Sequence, residues 1–306
     1  MTQPMNNHPL TALIIGGGPA GTSCALWLKM LGHSPAILEK TSRLGGLQNK
    51  NPFPNEWIVG HAGATGEQIG AKIHDHIGMH GIPVYFQSSV ISVSRSAAGA
   101  WETLAGSAQG PVTIRSKYLV LATGVKPVAD NFIETGSVLI GPGRKIVDFD
   151  YRAKRVAILG GGDNALENYL FVKDRGAAAV HVFARRLRAR REFVKRVPAD
   201  AISVRAYQAH QQTMSVDGEP FDAFLVFYGW APVNPIAGHV ALETDARGFI
   251  ETDHRRRTSA HGIYAIGEVT QKNHPCVVTS MSDGIICAKD IQLRIEASED
   301  TEGAVE

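Results

Sequence analysis

Apolar residues in this chain come in short runs cut by glycine rather than in long periodic stretches. Leu13-Ile14-Ile15 stops at Gly16-Gly17-Gly18, and helical spacing follows over residues 22–31. A second apolar run over residues 34–38 completes a predicted β-α-β unit spanning residues 11–40. Ile69, Ile73 and Ile77 share one helical face and predict a helix over residues 66–80, capped by Thr65 or the glycines before it. Residues 83–86 read as a strand. Residues 90–94, 100–104 and 112–115 alternate and predict an antiparallel meander, and residues 118–124 form a separate buried strand stopped by Gly124. Residues 125–150 are loop-rich. The opening pattern then returns as a strand (155–159), a glycine turn (160–165), a helix (166–174) and a strand (178–183). Strands are also predicted at 203–207, 213–216, 221–228, 249–252 and 262–266, and a helix at 279–295. Residues 1–9 and the acidic, polar residues 296–306 read as loose tails.

The two repeats carry the same chemistry with one difference. Gly16, Gly18 and Gly21 occupy the G-x-G-x-x-G positions, where they allow a tight turn, close approach of a pyrophosphate and close helix–strand packing. Glu39 ends the next strand, where a carboxylate takes ribose hydroxyls. In the second repeat Gly160 and Gly162 are followed by Ala165, which the fingerprint tolerates. No acid stands after its second strand; Arg185 and Arg186 do, with Arg188, Arg190 and Arg191 beyond. Guanidinium groups suit a 2′-phosphate. The first site is therefore expected to take a dinucleotide without that phosphate, and the second NADP(H). The loop after the second strand, with Gly46 and Gln48, either covers the cofactor ring or is a plain surface loop.

The chain's 306 residues suffice for two domains, and 44% hydrophobic with 20% charged residues fits a globular protein. A net charge of +2 argues against a dedicated nucleic-acid binder. No apolar run approaches the roughly twenty residues a membrane span needs, and the opening residues lack a signal pattern. Cys24, Cys276 and Cys287 are scattered, without a C-x-x-C or a metal spacing, so a cytoplasmic protein without structural disulfides is expected. His74, His76 and His80 make no ligand set, and no metal is expected. His61 and His274 sit in loops, as surface residues or as proton donors beside a cofactor.

Two dinucleotide folds, one inserted in the other, resemble the two-domain pyridine-nucleotide flavoproteins, specifically the low-molecular-weight thioredoxin reductase family, over residues 11–295. The resemblance implies an α/β protein of two Rossmann-like domains: a discontinuous FAD domain (1–117 and 244–306) with an inserted NADPH domain (118–243). It implies that FAD lies on Gly16, Gly18, Pro19, Ala20, Gly21, Glu39, Lys40, Gly46, Gln48, Thr123, Gly124, Gly267, Glu268, Cys276 and Val277. NADPH is implied on Gly160, Gly162, Asp163, Asn164, Arg185, Arg186 and Arg190. Gly267-Glu268 matches the family's Gly-Asp, whose carboxylate contacts the ribityl chain, with one extra methylene. The family's redox C-x-x-C falls on Gly143-Arg144-Lys145-Ile146, so both sulfurs are missing and a dithiol relay is not expected. Family members without that pair include ferredoxin–NADP reductases. The expected function is NADPH-dependent reduction through FAD, with electrons passing directly to an acidic carrier (ferredoxin or flavodoxin) or a small molecule. Basic docking surfaces are sought at 254–257 and 186–196, and a homodimer is expected from the family. Two alternatives stay open: a nucleotide-binding redox sensor or partner subunit with little turnover, and a disulfide reductase working through Cys276, with His274 nearby, or at the flavin itself.

Overall fold

The computed structural model describes residues 9–303. The expected tail at 1–9 lies outside them except for its last residue. The first strand, β1 (Leu10–Ile15), runs into helix α1 (Pro19–Met30), and β2 (Pro35–Leu38) follows. Pro19 stands at the start of α1, earlier than the periodicity indicated, because a proline gives up no helical hydrogen bond there. Helix α2 (Gly66–Met79) is fixed by a capping box in which Thr65 and Gln68 exchange side-chain and backbone hydrogen bonds. Strands β3 (Val84–Tyr85), β4 (Ser89–Arg95), β5 (Trp101–Gly106) and β6 (Val112–Leu121) complete this half.

β6 joins what the sequence pattern divided into two strands. Its first half alternates buried and exposed residues and pairs antiparallel with β5; its second half is buried throughout and pairs parallel with β1. The change of partner, not a chain break, changes the pattern.

The loop-rich segment contains three elements: β7 (Val125–Pro127), β8 (Val138–Ile140) and helix α3 (Arg144–Asp148). The second repeat follows as β9 (Arg155–Leu159), α4 (Asp163–Asp174) and β10 (Ala179–Ala184). After α5 (Arg191–Arg196) come β11 (Ile202–Val204), then β12 (Ala209–His210), β13 (Ser215–Val216) and β14 (Glu219–Pro220) as a small separate sheet. β15 (Ala223–Val226) completes a parallel sheet of order β11-β10-β9-β15-β8, and β16 (Trp230–Pro232) pairs with β7. The chain then returns to the first sheet through β17 (Ile263–Ala265), parallel to the end of β6, and closes with α6 (Val277–Gly303).

The chain divides into two compact units, one up to Val125 with everything from Pro232, the other Lys126–Ala231. Cuts at 117/118 and 243/244 would split β6 from its own sheet and Glu243 from Glu251, whose N–H donates to the Glu243 carbonyl at 2.9 Å. An isolated bridge from Thr244 to Ile250 is the strand pairing that forms where a strand was expected over 249–252. Residues 296–303 continue α6 instead of forming a loose tail; residues 304–306 lie outside those described.

One polar cluster stands out in the first unit. Asp290 of α6, 2% exposed, accepts hydrogen bonds from Arg257 Nε (2.7 Å), Arg255 Nη1 (3.1 Å) and the Tyr264 hydroxyl (2.7 Å). Burial alone would raise this carboxyl; bonds from Arg257, Tyr264 and Arg255 outweigh it and hold it at about 2. The stabilisation is therefore complete above the unfolded value of about 4 and is lost as pH falls through about 2, an effect of about 2–3 kcal/mol. Asp290→Asn, which leaves three donor residues facing a neutral amide, is expected to cost about 3–5 kcal/mol in urea denaturation at pH 7. Its penalty should shrink toward pH 2.

Candidate functional site

In the first unit the glycine turn is enforced from behind and open in front. A side chain at Gly16, whose φ is +109°, would come within 2.4 Å of the Ala122 carbonyl, and one at Gly21 within 2.0 Å of the Gly16 carbonyl. A Cβ on Gly18 would meet nothing nearer than Gly46 at 3.8 Å. The close contacts lie on the protein side and the space lies at the helix N-terminus, as an anionic pyrophosphate requires. The loop carrying Gly46 and Gln48 packs onto this turn: the Gly45 N–H donates to the Gly17 carbonyl at 2.8 Å. His74 Nδ1 accepts from the Leu44 N–H at 3.2 Å and holds the start of that loop. Gln48 lies in a 3₁₀ turn, Gly46–Lys50.

Glu39 is 6% exposed and already engaged. Its Oε2 accepts from the Gly17 N–H (2.7 Å), and its Oε1 from the Thr41 N–H and hydroxyl (2.8 Å each). Those bonds orient the carboxylate and leave one acceptor position on Oε2 for a ribose hydroxyl. Lys40 beside it is exposed. At the end of β6, the Thr123 hydroxyl donates to the Val233 carbonyl and Gly124 takes a φ of +62°. Gly267 follows β17 with a φ of +72°; a side chain there would press on Ala20 at 2.9 Å. Glu268 is half-buried, and burial raises its carboxyl; it shares the wall of a small cavity with His274. Cys276 precedes α6 and caps it, its Sγ accepting from the Thr279 N–H at 3.4 Å. Val277, the first residue of the helix, is buried. His61 sits in the loop before α2, where its backbone makes turn hydrogen bonds with Ile58 and Ala64.

The second unit repeats the construction. A side chain at Gly160, whose φ is +143°, would come within 2.3 Å of the Phe227 carbonyl, whereas nothing lies within 4 Å of a Cβ on Gly162. Asn164 follows Asp163 at the start of α4, its carbonyl accepting from the Asn168 amide at 2.7 Å. The Gly161 carbonyl accepts from Arg188 N (2.7 Å) and Ala189 N (3.0 Å), which ties the basic segment to the turn. Arg185 and Arg186 are exposed beside it, Arg185 4.0 Å from Asp130. Arg190 differs. Its backbone N–H and its Nε both reach Asp163, each at 2.7 Å, so it braces the N-terminus of α4. Asp163 accordingly orients Arg190 rather than standing open to a ligand.

One other expectation changes. The cluster 254–257 does not offer a docking patch, because Arg255 and Arg257 bond Asp290 and Arg256 bonds Asp283. Cys24 and Cys287, far apart in sequence, lie in one core cluster between α1 and α6. Both are free and fully buried, and burial pushes the Cys287 thiol up, which disfavours the reactive thiolate. Gly143 caps α3, and Ile146 is 1% exposed in the core.

The family model described as pyridine nucleotide-disulphide oxidoreductase matches residues 11–284. The chain belongs to that family. Its relatives include a ferredoxin–NADP reductase of Limosilactobacillus fermentum, 28% identical over 83% of this chain and 84% of that one. A thioredoxin reductase of Ureaplasma parvum is 23% identical over 93% and 96%. Among solved structures, the bacillithiol disulfide reductase of Bacillus cereus superposes with a TM-score of 0.77 at 20% identity, over 94% of this chain and all of the other. Thioredoxin reductase of Lactococcus lactis gives 0.76 at 22%, over 92% and 98%. The two Rossmann-like folds match this membership, and the cofactors are FAD and NADPH. Among the described residues, no helix is long and apolar enough to cross a membrane.

Proposed function

We propose that this flavoprotein takes electrons from NADPH and delivers them directly from the flavin to an acceptor, without a protein dithiol. The observation that carries this reading is the pairing of two open glycine turns with three cysteines that form no C-x-x-C. Likeness to a ferredoxin–NADP reductase supports it.

FAD is assigned to the first unit. The Gly18 turn and Pro19–Gly21 receive its pyrophosphate, Glu39 a ribose, and Gly46 and Gln48 cover the turn, with Lys40 at the rim. Thr123, Gly124, Gly267 and Glu268, together with the backbone at Cys276 and Val277, line the flavin end. When bound, FAD supplies the electron exchange between a nicotinamide and the acceptor. The residues hold it by backbone donors and a fixed carboxylate, and burial raises the Glu268 carboxyl at that end. NADPH is assigned to Gly160 and Gly162, with Asn164 at the helix start and Arg185 and Arg186 on the 2′-phosphate. Arg190 and Asp163 brace the turn.

The acceptor is an acidic electron carrier such as a ferredoxin or flavodoxin. Arg185, Arg186, Arg188, Arg190, Arg191, Lys195 and Arg196 are all exposed along one segment and supply the complementary charge. A cytoplasmic homodimer is the form in which we place it. A second reading rests on Cys276, whose thiol sits at a helix N-terminus: it would take one half of a small disulfide as a mixed disulfide and release the other as a thiol, and an external thiol or two electrons from NADPH would then free the second half.

Anaerobic titration with NADPH, followed by ferredoxin, flavodoxin, a quinone, small disulfides and oxygen, tests both readings. The yellow protein is expected to bleach with one equivalent of NADPH and to be reoxidised by the carrier proteins. A variant with all three cysteines changed to alanine should behave alike. Loss of reoxidation in Cys276→Ala alone would favour the disulfide reading.

A further inference from the structure

Asp283 of α6 ties together three segments. Its Oδ1 accepts from Arg256 Nε (2.8 Å) and Nη2 (2.7 Å) and from the Asn273 amide (3.2 Å); its Oδ2 accepts from the Gly267 N–H (3.0 Å). Three donors crowd Oδ1 and one meets Oδ2, which keeps a single acceptor position. Both charged residues are buried, Arg256 at 5% exposure and Asp283 at 3%. Arg256 also takes a φ of +67°, in the left-handed region that a non-glycine residue enters only at some cost. Its backbone is held there: the Arg256 carbonyl accepts from Ala265 N, and its own N–H donates to the Asp253 carbonyl.

A buried ion pair is a poor way to gain stability, since well-packed apolar residues commonly do as well. What it supplies is fixed geometry. The pair grips both ends of the turn 267–273, which carries Glu268 and leads to Cys276 and Val277. It does so where α6 packs tightly on α1, since a side chain on the adjacent Gly284 would lie 2.5 Å from the Ala20 carbonyl. A shift of Asp283 would therefore move the Gly267–Glu268 turn against the first turn of α1.

We propose that Arg256 and Asp283 are positioning residues that set the 267–277 segment against the flavin end of the site; this rests on the assignment of FAD to the first unit. The test compares wild type with Asp283→Asn, Arg256→Lys and Asn273→Ala. FAD dissociation constant, visible fine structure and flavin midpoint potential are measured, with far-UV circular dichroism and NADPH affinity as controls on the fold and the second unit. Asp283→Asn is expected to weaken FAD binding at least tenfold and to shift the spectrum. Arg256→Lys, which keeps the charge, should recover part of the loss, and Asn273→Ala should weaken binding a few-fold. Folded variants that bind FAD within twofold of wild type at an unchanged potential would overturn the proposal. If Asp283→Asn does not fold, the exposed Asn273→Ala decides: unchanged FAD affinity and spectrum there overturn the proposal as well. Wild type that binds no FAD would instead overturn the FAD assignment itself, and this proposal with it.

Discussion

Gly162→Val is expected to fold like wild type and to lose reduction of its flavin by NADPH. Gly162 has φ −96° and ψ −179°, an extended conformation open to any residue, and nothing lies within 4 Å of an added Cβ. The cost to folding is that of a β-branched residue at a helix N-cap, about 1 kcal/mol or less against glycine. The added methyl groups occupy the space a pyrophosphate must enter to reach the N–H groups of α4. The rate of flavin bleaching at fixed NADPH should fall at least 100-fold, with FAD content unchanged because the FAD turn is in the other unit. Gly160→Val is the contrasting case. Its φ of +143° and the Phe227 carbonyl 2.3 Å from its Cβ predict a loss of fold stability in the second unit, not a selective loss of binding. Stopped-flow bleaching alongside thermal unfolding separates the two. A Gly162→Val protein that bleaches at the wild-type rate would remove NADPH from this turn.

The contrast shows why the glycine motifs were legible and other parts were not. G-x-G-x-x-G records local constraints: a positive φ at Gly16 and Gly160 and close packing at Gly21 are properties of a few adjacent residues. The strands β1, β2 and β9 were legible because burial on both faces forces a continuous apolar run. β6 was cut in two because its pattern reports two different partners, and pairing partners are distant in sequence. β8, three residues inside a glycine-rich segment, is a strand only because β15 lies beside it. The arginines show the same limit. A run of basic residues at 254–257 looks like a surface patch until Asp283 and Asp290, about thirty residues later, pair with three of them and bury Arg256. Arg190 looked like Arg185 and Arg186, but Asp163 claims it. Residue type identified these side chains as ligands for an anion; only the fold shows which anion, a phosphate or a carboxylate of the same chain, each one meets.

That division yields the second large effect. Arg185→Ala with Arg186→Ala is expected to raise the KM for NADPH about 100-fold and to leave that for NADH nearly unchanged. Each charge-assisted hydrogen bond to a phosphate contributes about 1.5–3 kcal/mol. Arg185 has a side-chain exposure of 73%, so solvent screening argues for the lower end, about tenfold per arginine. The loss should grow as ionic strength is lowered, because wild type gains most there. Arg190→Ala should behave differently, since its guanidinium bonds Asp163 at the start of α4. Removing it loosens the pyrophosphate turn that both nucleotides share, so KM should rise for NADPH and NADH alike. Steady-state kinetics with both nucleotides at two salt concentrations distinguish the roles. A selective NADPH defect in Arg190→Ala, with none in Arg185→Ala/Arg186→Ala, would move the 2′-phosphate contact from the end of β10 to α5.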